Sequence, residues 1–579
     1  MKHTLFVLIF LLSLSVYSQD SYNYTLLTYS QVGYDMYMPK TAMLQHVDSS
    51  FFKSGTTFTL RQIADNKNIL TGKIKSLGKK WKKFWWKVDF SGCKQAGEYY
   101  LQISYKKNLL YESKKSLPIT IANNLLWNKT WQSTALYHLH LRDSLSYKPE
   151  GGWKDCGSTL QEISSHIIML NALCDLLELS QKNLSPNNQQ DIYKQLVIGA
   201  NYVALCQDKA KSLGLGDGAV VHEVRRNLKV VTGNVAKTAM ILARISRLLK
   251  EVNPELSVQY KARSIKAYNW IAKNGPIIHW EDSDFYAITH GAPYGMKTPP
   301  KEWMTRDLVM MMWASVELYK CGELDYKQNA IDYATKIMAR QVSKDKAEDG
   351  LYGHFYTYDS FDFTEKANIH CGAWDANYKA YNQGGHFPHY LIPMIEMMNL
   401  WPENQQAGNW KKCVSNFAYH YFLPATNQNP FKILPAGYYK NEGLLNWSGW
   451  YHGHNKIFGY AAALAMEFYH LYNDRRFIEI AVGNLQWIAG LHSGFHKNND
   501  SFSASMIVGI GNRSKADWDA MRGTITNGFD ADAQFKLTRP SKETDLPTVF
   551  GDEGGIHHPA GWVSGLARWN KYIKNVHKF

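Results

Sequence analysis

Three glycine-rich stretches of this 579-residue chain hold the side chains best suited to acid–base chemistry. The first is Gly151-Gly152-Trp153-Lys154-Asp155-Cys156-Gly157-Ser158. The second runs from Asn446 to Asn455 through Trp450, Tyr451, His452 and His454. The third is Gly551-Asp552-Glu553-Gly554-Gly555-Ile556-His557-His558. Each leads into an apolar run of helical period, so each reads as a loop at a helix mouth, where a rigid element positions a side chain that solvent still reaches. Asp155 and Glu553 put a carboxyl group at two such mouths, which is the equipment of glycosidic-bond cleavage. One carboxyl protonates the leaving oxygen while the other activates water or attacks the sugar, and inversion needs them about 6.5–9.5 Å apart. Trp153, Trp450, Tyr451 and His452 are the candidate contacts to sugar rings, which stack on aromatic faces.

A second group of residues points to a different chemistry. The segment from Tyr352 to His389 is dense in tyrosine and histidine, including Tyr356, His370, Trp374 and His386. Tyr356, His370 and His386 are candidate bases for β-elimination in a uronic-acid polymer, a reaction that uses no catalytic water. Trp303 with Arg306, and Arg522 further on, are candidate substrate contacts, the arginines through charge-assisted hydrogen bonds to acidic groups. His222, Arg225 and Arg226 are read the same way.

Bulk composition narrows the partner. The formal charge is +15, which attracts polyanions. Met1 to Ser18 reads as a signal peptide, with Lys2 and His3 ahead of an apolar run from Leu5 to Leu14 and no cysteine at the cleavage region. In a secreted or periplasmic protein the polyanion is expected to be an acidic polysaccharide and not nucleic acid. No later run reaches the roughly 20 apolar residues of a membrane span. The seven cysteines are scattered, without a C-x-x-C pair, so neither a disulfide framework nor a metal site is expected. Oligomeric state leaves no mark in the sequence.

The elements that must carry these loops fall into two regions. Residues 22–121 alternate in short runs such as Thr57–Leu60, Trp85–Phe90 and Tyr99–Ile103, the pattern of an all-β immunoglobulin-like sandwich. The Lys73–Lys87 stretch reads as an exposed sheet face over a buried tryptophan, with a sugar-binding face as the alternative. From 122 to 579 the period becomes helical, with about twelve helices near 123–142, 160–179, 188–207, 232–250, 256–273, 303–321, 325–340, 387–398, 408–421, 455–472, 474–490 and 559–575. Twelve helices in pairs predict an all-α (α/α)6 barrel whose long loops form a groove at one end.

On these motifs the chain resembles glycoside hydrolase family 9, including the immunoglobulin-like domain that often precedes its barrel. Gly151 to Gly157 matches the family's Gly-Gly-Trp-x-Asp-x-Gly, while Trp450 to Asn455 and Leu485 to Gly490 look like its penultimate helices. The resemblance implies that Glu553, eight residues before Gly561-Trp562, is the proton donor, and it makes calcium a candidate ligand, although no Asp-rich calcium loop is visible. The family usually reads Asp-x-Gly-Asp at the first site, its second aspartate being the base, and here that position is Ser158. A serine hydroxyl cannot replace a carboxylate base unaided. Ser158-Thr159-Leu160-Gln161 also fits a capping box that would start the next helix. Asp155, or Glu162 one turn further on, is left to act as base. The family's usual His-His-Arg cluster is absent after Gly509-Ile510-Gly511. Three readings stand: a hydrolase of an acidic or β-1,4-linked glycan, a uronate lyase, and a non-catalytic glycan-binding protein.

Overall fold

A computed structural model describes residues 26–573 apart from 82, 115, 156–159, 227, 276–302, 304, 348–349, 357–390, 436, 440–442, 446–454, 494, 498–499, 503, 512–520 and 530–553. Met1–Ser18, the segment read as a signal peptide, lies outside them.

Ten strands build the sandwich: β1 Leu26–Thr28, β2 Tyr34–Asp35, β3 Thr41–His46, β4 Thr57–Gln62, β5 Asn68–Lys73, β6 Lys75–Lys80, β7 Lys83–Asp89, β8 Gly97–Tyr105, β9 Asn108–Glu112 and β10 Ile119–Ala122. One sheet runs β1-β3-β7-β6, and the other β2-β10-β8-β4-β5 with β9 on β8. Side chains alternate between the faces of a strand, and in β3 and β7 both faces are covered. Ala42, Leu44, Trp86 and Val88 enter the sandwich core. Met43 and Trp85 point the other way and join the core of the helical region. Trp81 stacks on Phe431 at 5.9 Å and Trp85 meets the same ring edge-on at 5.1 Å. The Lys73–Lys87 stretch is, as read, an exposed strand, Lys75–Lys80, beside one with buried tryptophans; the sugar-binding alternative fails for Trp81 and Trp85, which form the joint between the two regions. Asp35 completes that joint. Its carboxylate accepts the backbone N–H groups of Leu125 and Leu126, and the Trp569 indole N–H at 2.8 Å.

The helical region follows the expected pairing. Its rods are α1 Leu125–Gln132, which continues through a π-helical turn into α2 His138–Ser144, then α3 Ile163–Ser180, α4 Pro186–Ser212, α5 Thr232–Leu249, α6 Pro254–Asn274, α7 Thr305–Lys320, α8 Tyr326–Ala339, α9 Ile392–Leu400, α10 Ala407–Asn416, α11 Leu423–Thr426, α12 Asn455–Tyr472, α13 Arg475–Ile488 and α14 His557–Tyr572. Helices α3, α5, α7, α12 and α14 are buried nearly all round, whereas α4, α6 and α8 bury one face. That difference sorts an inner ring, completed by α9, from an outer one, giving the (α/α)6 barrel. All inner helices point their N-termini to the same end, where the described loop residues Gly151–Asp155 and Gly554–Ile556 lie.

At the opposite end a belt of buried charge ties the inner ring together. Arg244 of α5 binds Asp175 of α3 at 2.7 Å, and Arg568 of α14 binds the same carboxylate at 2.6 Å. Arg568 also reaches Glu467 of α12 at 2.9 Å. Arg247 joins Glu178 and Glu317, the latter at 2.8 Å, and Lys320 bridges Glu317 to Glu396 of α9. Every inner helix contributes, so the floor of the barrel is fixed by charges paired at desolvated sites.

Candidate active site

The site is anchored by a residue the motifs did not flag. Arg142, in α2, is fully buried. Its guanidinium donates to the carbonyls of Lys154 and Asp155, to the carbonyl of Gly554, and to the Thr524 hydroxyl at 3.3 Å. Asp155 and the residue beside Glu553 are thereby pinned to one planar fork. The Asp155 carboxylate then accepts the Ile556 N–H at 3.1 Å. Burial pushes the Asp155 carboxyl up to about 7, with the negative charge of Glu162 adding to the shift and Ser165, Arg142 and the Ile556 N–H opposing it.

The path from Asp155 into α3 differs from the expected one. The Asp155 N–H donates to the Leu160 carbonyl at 2.8 Å, the Gln161 N–H donates to Glu223 at 3.2 Å, and the Ile163 N–H donates to the His222 carbonyl at 3.1 Å. These bonds hold Leu160 and Gln161 out of the helix, so α3 starts at Ile163 with Glu162 as its N-cap. The capping box expected from Ser158 is corrected on that ground; Ser158 itself lies outside the described residues.

Glu162 is the partly exposed carboxylate of the group. His222 Nε2 stands 3.3 Å from its Oε1, and Asn234 donates to His222 Nδ1 at 2.9 Å if that nitrogen is the acceptor. Burial alone would lower the His222 pKa, but hydrogen bonding and charge from Glu162 outweigh it and raise it. Glu223, buried behind them, is pushed up to about 7, by burial first and Glu162 second. Asp155 and Glu223, both raised to about 7, thus stand beside the Glu162–His222 pair, an arrangement suited to acid–base work.

Cations line the other side of the same mouth. Lys456 in the first turn of α12 is 8% exposed, and burial lowers its pKa to about 8 against the opposing pull of Asp155 and Glu162. Arg306 opens α7 with its Nε 3.6 Å from Asp307. Lys237, in the second turn of α5, is lowered to about 7 by burial and by Arg306.

The remaining expected site residues divide. Trp153 is fully buried, stacks on His166 and donates its indole N–H to Gln195 at 2.9 Å. It braces the Asp155 loop and does not face a groove, a correction to its reading as a sugar contact. Trp303 packs on the barrel core, and its carbonyl accepts Arg340 at 2.8 Å. Tyr356 is buried, and burial raises its phenol, which leaves less of it ionised. Arg522 is exposed beside Gly509. Arg225 is engaged by Glu150 and Gln161. Glu553, His370, His386, Trp374, Trp450, Tyr451 and His452 lie outside the described residues.

Among the described residues no group of three or more His, Cys, Asp or Glu is arranged to hold a metal ion. The five described cysteines are unbridged. One described helix, Ile163–Asn183, is long and apolar enough to cross a membrane, but it is 83% buried inside the barrel.

Comparison with known proteins agrees with this architecture. Residues 28–108 match the model of a cellulase N-terminal Ig-like domain, and residues 100–518 match that of glycosyl hydrolase family 9. No curated protein matches by sequence. Among solved structures, a metagenome-derived glycoside hydrolase family 9 endoglucanase superposes with a TM-score of 0.65 at 15% identity, covering 94% of this chain and 99% of the other. A family 9 protein of Bacteroides ovatus gives 0.60 at 15% identity over 94% and 98%. AaCel9A, solved in complex with cellobiose-like isofagomine, gives 0.55 at 13% identity over 94% and 99%. The chain belongs to glycosyl hydrolase family 9.

Proposed function

We propose that the protein is a secreted glycoside hydrolase that cuts a β-linked polysaccharide, with Glu553 donating the proton to the leaving oxygen. The observation that carries this reading is Arg142, whose fork holds the Asp155 carbonyl and the Gly554 carbonyl together. It brings the peptide next to Glu553 to the one carboxylate that both the motif and the geometry single out. Asp155 takes the proton from water. Glu162, steadied by His222, keeps a negative charge nearby and so raises the basicity of Asp155, in place of the aspartate that Ser158 replaces. AaCel9A binds a cellobiose-like ligand, which supports a β-1,4-linked backbone.

Elimination is the weaker reading, because Tyr356 is buried with its phenol raised rather than lowered. The test is incubation with neutral and uronate-containing β-1,4-glycans. Hydrolysis releases reducing ends without ultraviolet absorbance from an unsaturated uronate. Absorbance in step with chain cleavage would replace this reading by a lyase, and no cleavage of any polymer would leave only binding.

A further inference from the structure

The positive charge of this chain is not spread evenly. Residues 22–121, under a fifth of the length, hold sixteen Lys and Arg against six Asp and Glu, which is +10 of the total +15. Part of that excess meets at a cavity of about 350 Å³ where the sandwich adjoins the barrel. Met43 and Trp85 dock one face of β3 and β7 on the barrel, and the same face of β7 continues to Lys87 and Asp89. These two line the cavity with Lys94, while Lys432, Arg475 and Glu479 line it from the barrel.

Four cations and two carboxylates thus surround one hollow. Asp89 binds Lys87 at 2.9 Å. Lys87 also stands directly opposite Lys75 of β6, and like charges so placed destabilise a sheet. Arg475 opens α13, where the helix dipole favours an acid, and the neighbouring Asp474 is engaged by Arg476 at 2.6 Å. Lysines guard an edge strand such as β6 against pairing with other chains. That accounts for Lys75 and Lys79, but not for Lys87 on an inner strand or for cations of two regions converging on one cavity.

We infer that this cavity is a second carbohydrate site, holding anionic sugar units (carboxylate or sulfate ester) of a polysaccharide while another stretch of the polymer lies in the barrel. The cations supply charge-assisted hydrogen bonds to the anionic group, and Asp89 and Glu479 accept from hydroxyls. The Tyr37 ring, 42% exposed, also lines the hollow. The Lys94 ammonium lies 5.9 Å from its centroid, so an aromatic face and a cation are offered together. A cavity of this volume suits a small ligand bound in a concave site, which a duplex backbone or a bilayer surface is not. Asp155, Glu162 and Glu223 do not line it, so the site is separate from the catalytic carboxyls. That the partner is a polysaccharide rests on the proposed function; the cavity and its charges do not.

The test is calorimetric binding at about 0.15 M salt, where attraction between exposed charges is screened beyond roughly 8 Å. The full chain carries Glu553→Gln so that the probes stay uncut. The probes are cellohexaose, a β-1,4-glucuronate hexasaccharide, a 6-O-sulfated cellohexaose and a short DNA duplex. Lys94→Glu with Arg475→Glu is expected to weaken at least one charged hexasaccharide about tenfold or more and to move cellohexaose less than about twofold. A loss for the glucuronate alone assigns a carboxylate, and a loss for the sulfated probe alone assigns a sulfate ester. Lys53→Glu with Lys67→Glu changes the net charge equally at exposed sandwich positions outside the cavity. That control pair should leave all three sugars within about twofold of the parent. Both pairs are expected to keep the melting temperature; were the first to lower it, Lys94→Gln with Arg475→Gln takes its place in the comparison. Charged sugars bound as well by the cavity variant as by the parent would overturn the inference, as would an equal loss in the control pair or a loss confined to DNA. Cleavage is not read, so a protein that cuts no polysaccharide would sink the proposed function and leave the cavity result standing.

Discussion

The Asp155 carboxylate accepts the Ile556 N–H at 3.1 Å across 401 residues of chain. That bond ties the entries of two inner helices together, because Asp155 lies before α3 and Ile556 just before α14. Asp155→Asn keeps an oxygen for this bond but removes the base. Its expected effect is a fall in kcat of about 10²–10⁴-fold with the fold intact by circular dichroism. A fold that melts together with the activity would show the carboxylate to be structural only.

The raised Asp155 pKa sets a pH window. Below about 7 the folded carboxyl keeps its proton, so activity that needs the carboxylate rises with pH through that value. Glu162→Gln removes a neighbouring negative charge, and the acid limb of kcat/KM should move to lower pH. For stability the sign is opposite. The unfolded carboxyl releases its proton near pH 4 and the folded one near 7, so folding takes up a proton in between, and the Asp155 contribution to stability declines as pH rises across that range.

Arg142→Met would leave the Asp155 and Gly554 carbonyls without their buried donor. Unsatisfied buried acceptors cost about 1–3 kcal/mol each, so urea melts should show a loss of that order. If Asp155 is the base, activity should fall further than the stability loss alone explains, since the Asp155 and Gly554 backbones share this one fork. Arg142→Lys supplies charge but not the fork and should rescue only part of either effect.

The floor of the barrel is expected to tolerate single losses badly. Glu317→Gln leaves Arg247 and Lys320 short of a counter-charge at a fully buried position, and breaking a buried pair costs about 3–5 kcal/mol. Chemical denaturation should show this with little change in kcat for the folded fraction, because the belt lies at the end away from Asp155.

Helices α12 and α14 approach so closely that a Cβ on Gly459 would meet the Gly561 backbone, and one on Gly565 would stand 2.8 Å from the Gly459 carbonyl oxygen. Gly561→Ala should destabilise by about 1–3 kcal/mol through overpacking. It should also lower activity, since a shift of α14 moves Ile556, whose N–H binds the Asp155 carboxylate.

The barrel was legible in the sequence because inner helices such as α3 and α12 are apolar all round while outer ones show a stripe, and both patterns are local. The alternation of Trp85 and Trp86 was equally plain. Its meaning was not, since only the docked barrel shows that Trp85 faces Phe431. The true start of α3 was hidden for a similar reason: the bonds that delay it come from His222 and Glu223, some sixty residues on. Lys237 in Val235-Ala236-Lys237-Thr238-Ala239 and Lys456 in Asn455-Lys456-Ile457-Phe458 did carry a signal, a lone cation within an apolar helix. Arg142 carried none, because what distinguishes it is a pair of carbonyls brought together only by folding.

The central claim is tested most directly by Glu553→Gln assayed on a β-1,4-linked polysaccharide and on an aryl glycoside whose leaving group needs no protonation. With Glu553 as proton donor, release of reducing ends from the polymer falls about 10²-fold or more while the aryl glycoside is spared most of that loss. Unchanged cleavage of the polymer by Glu553→Gln would contradict the account.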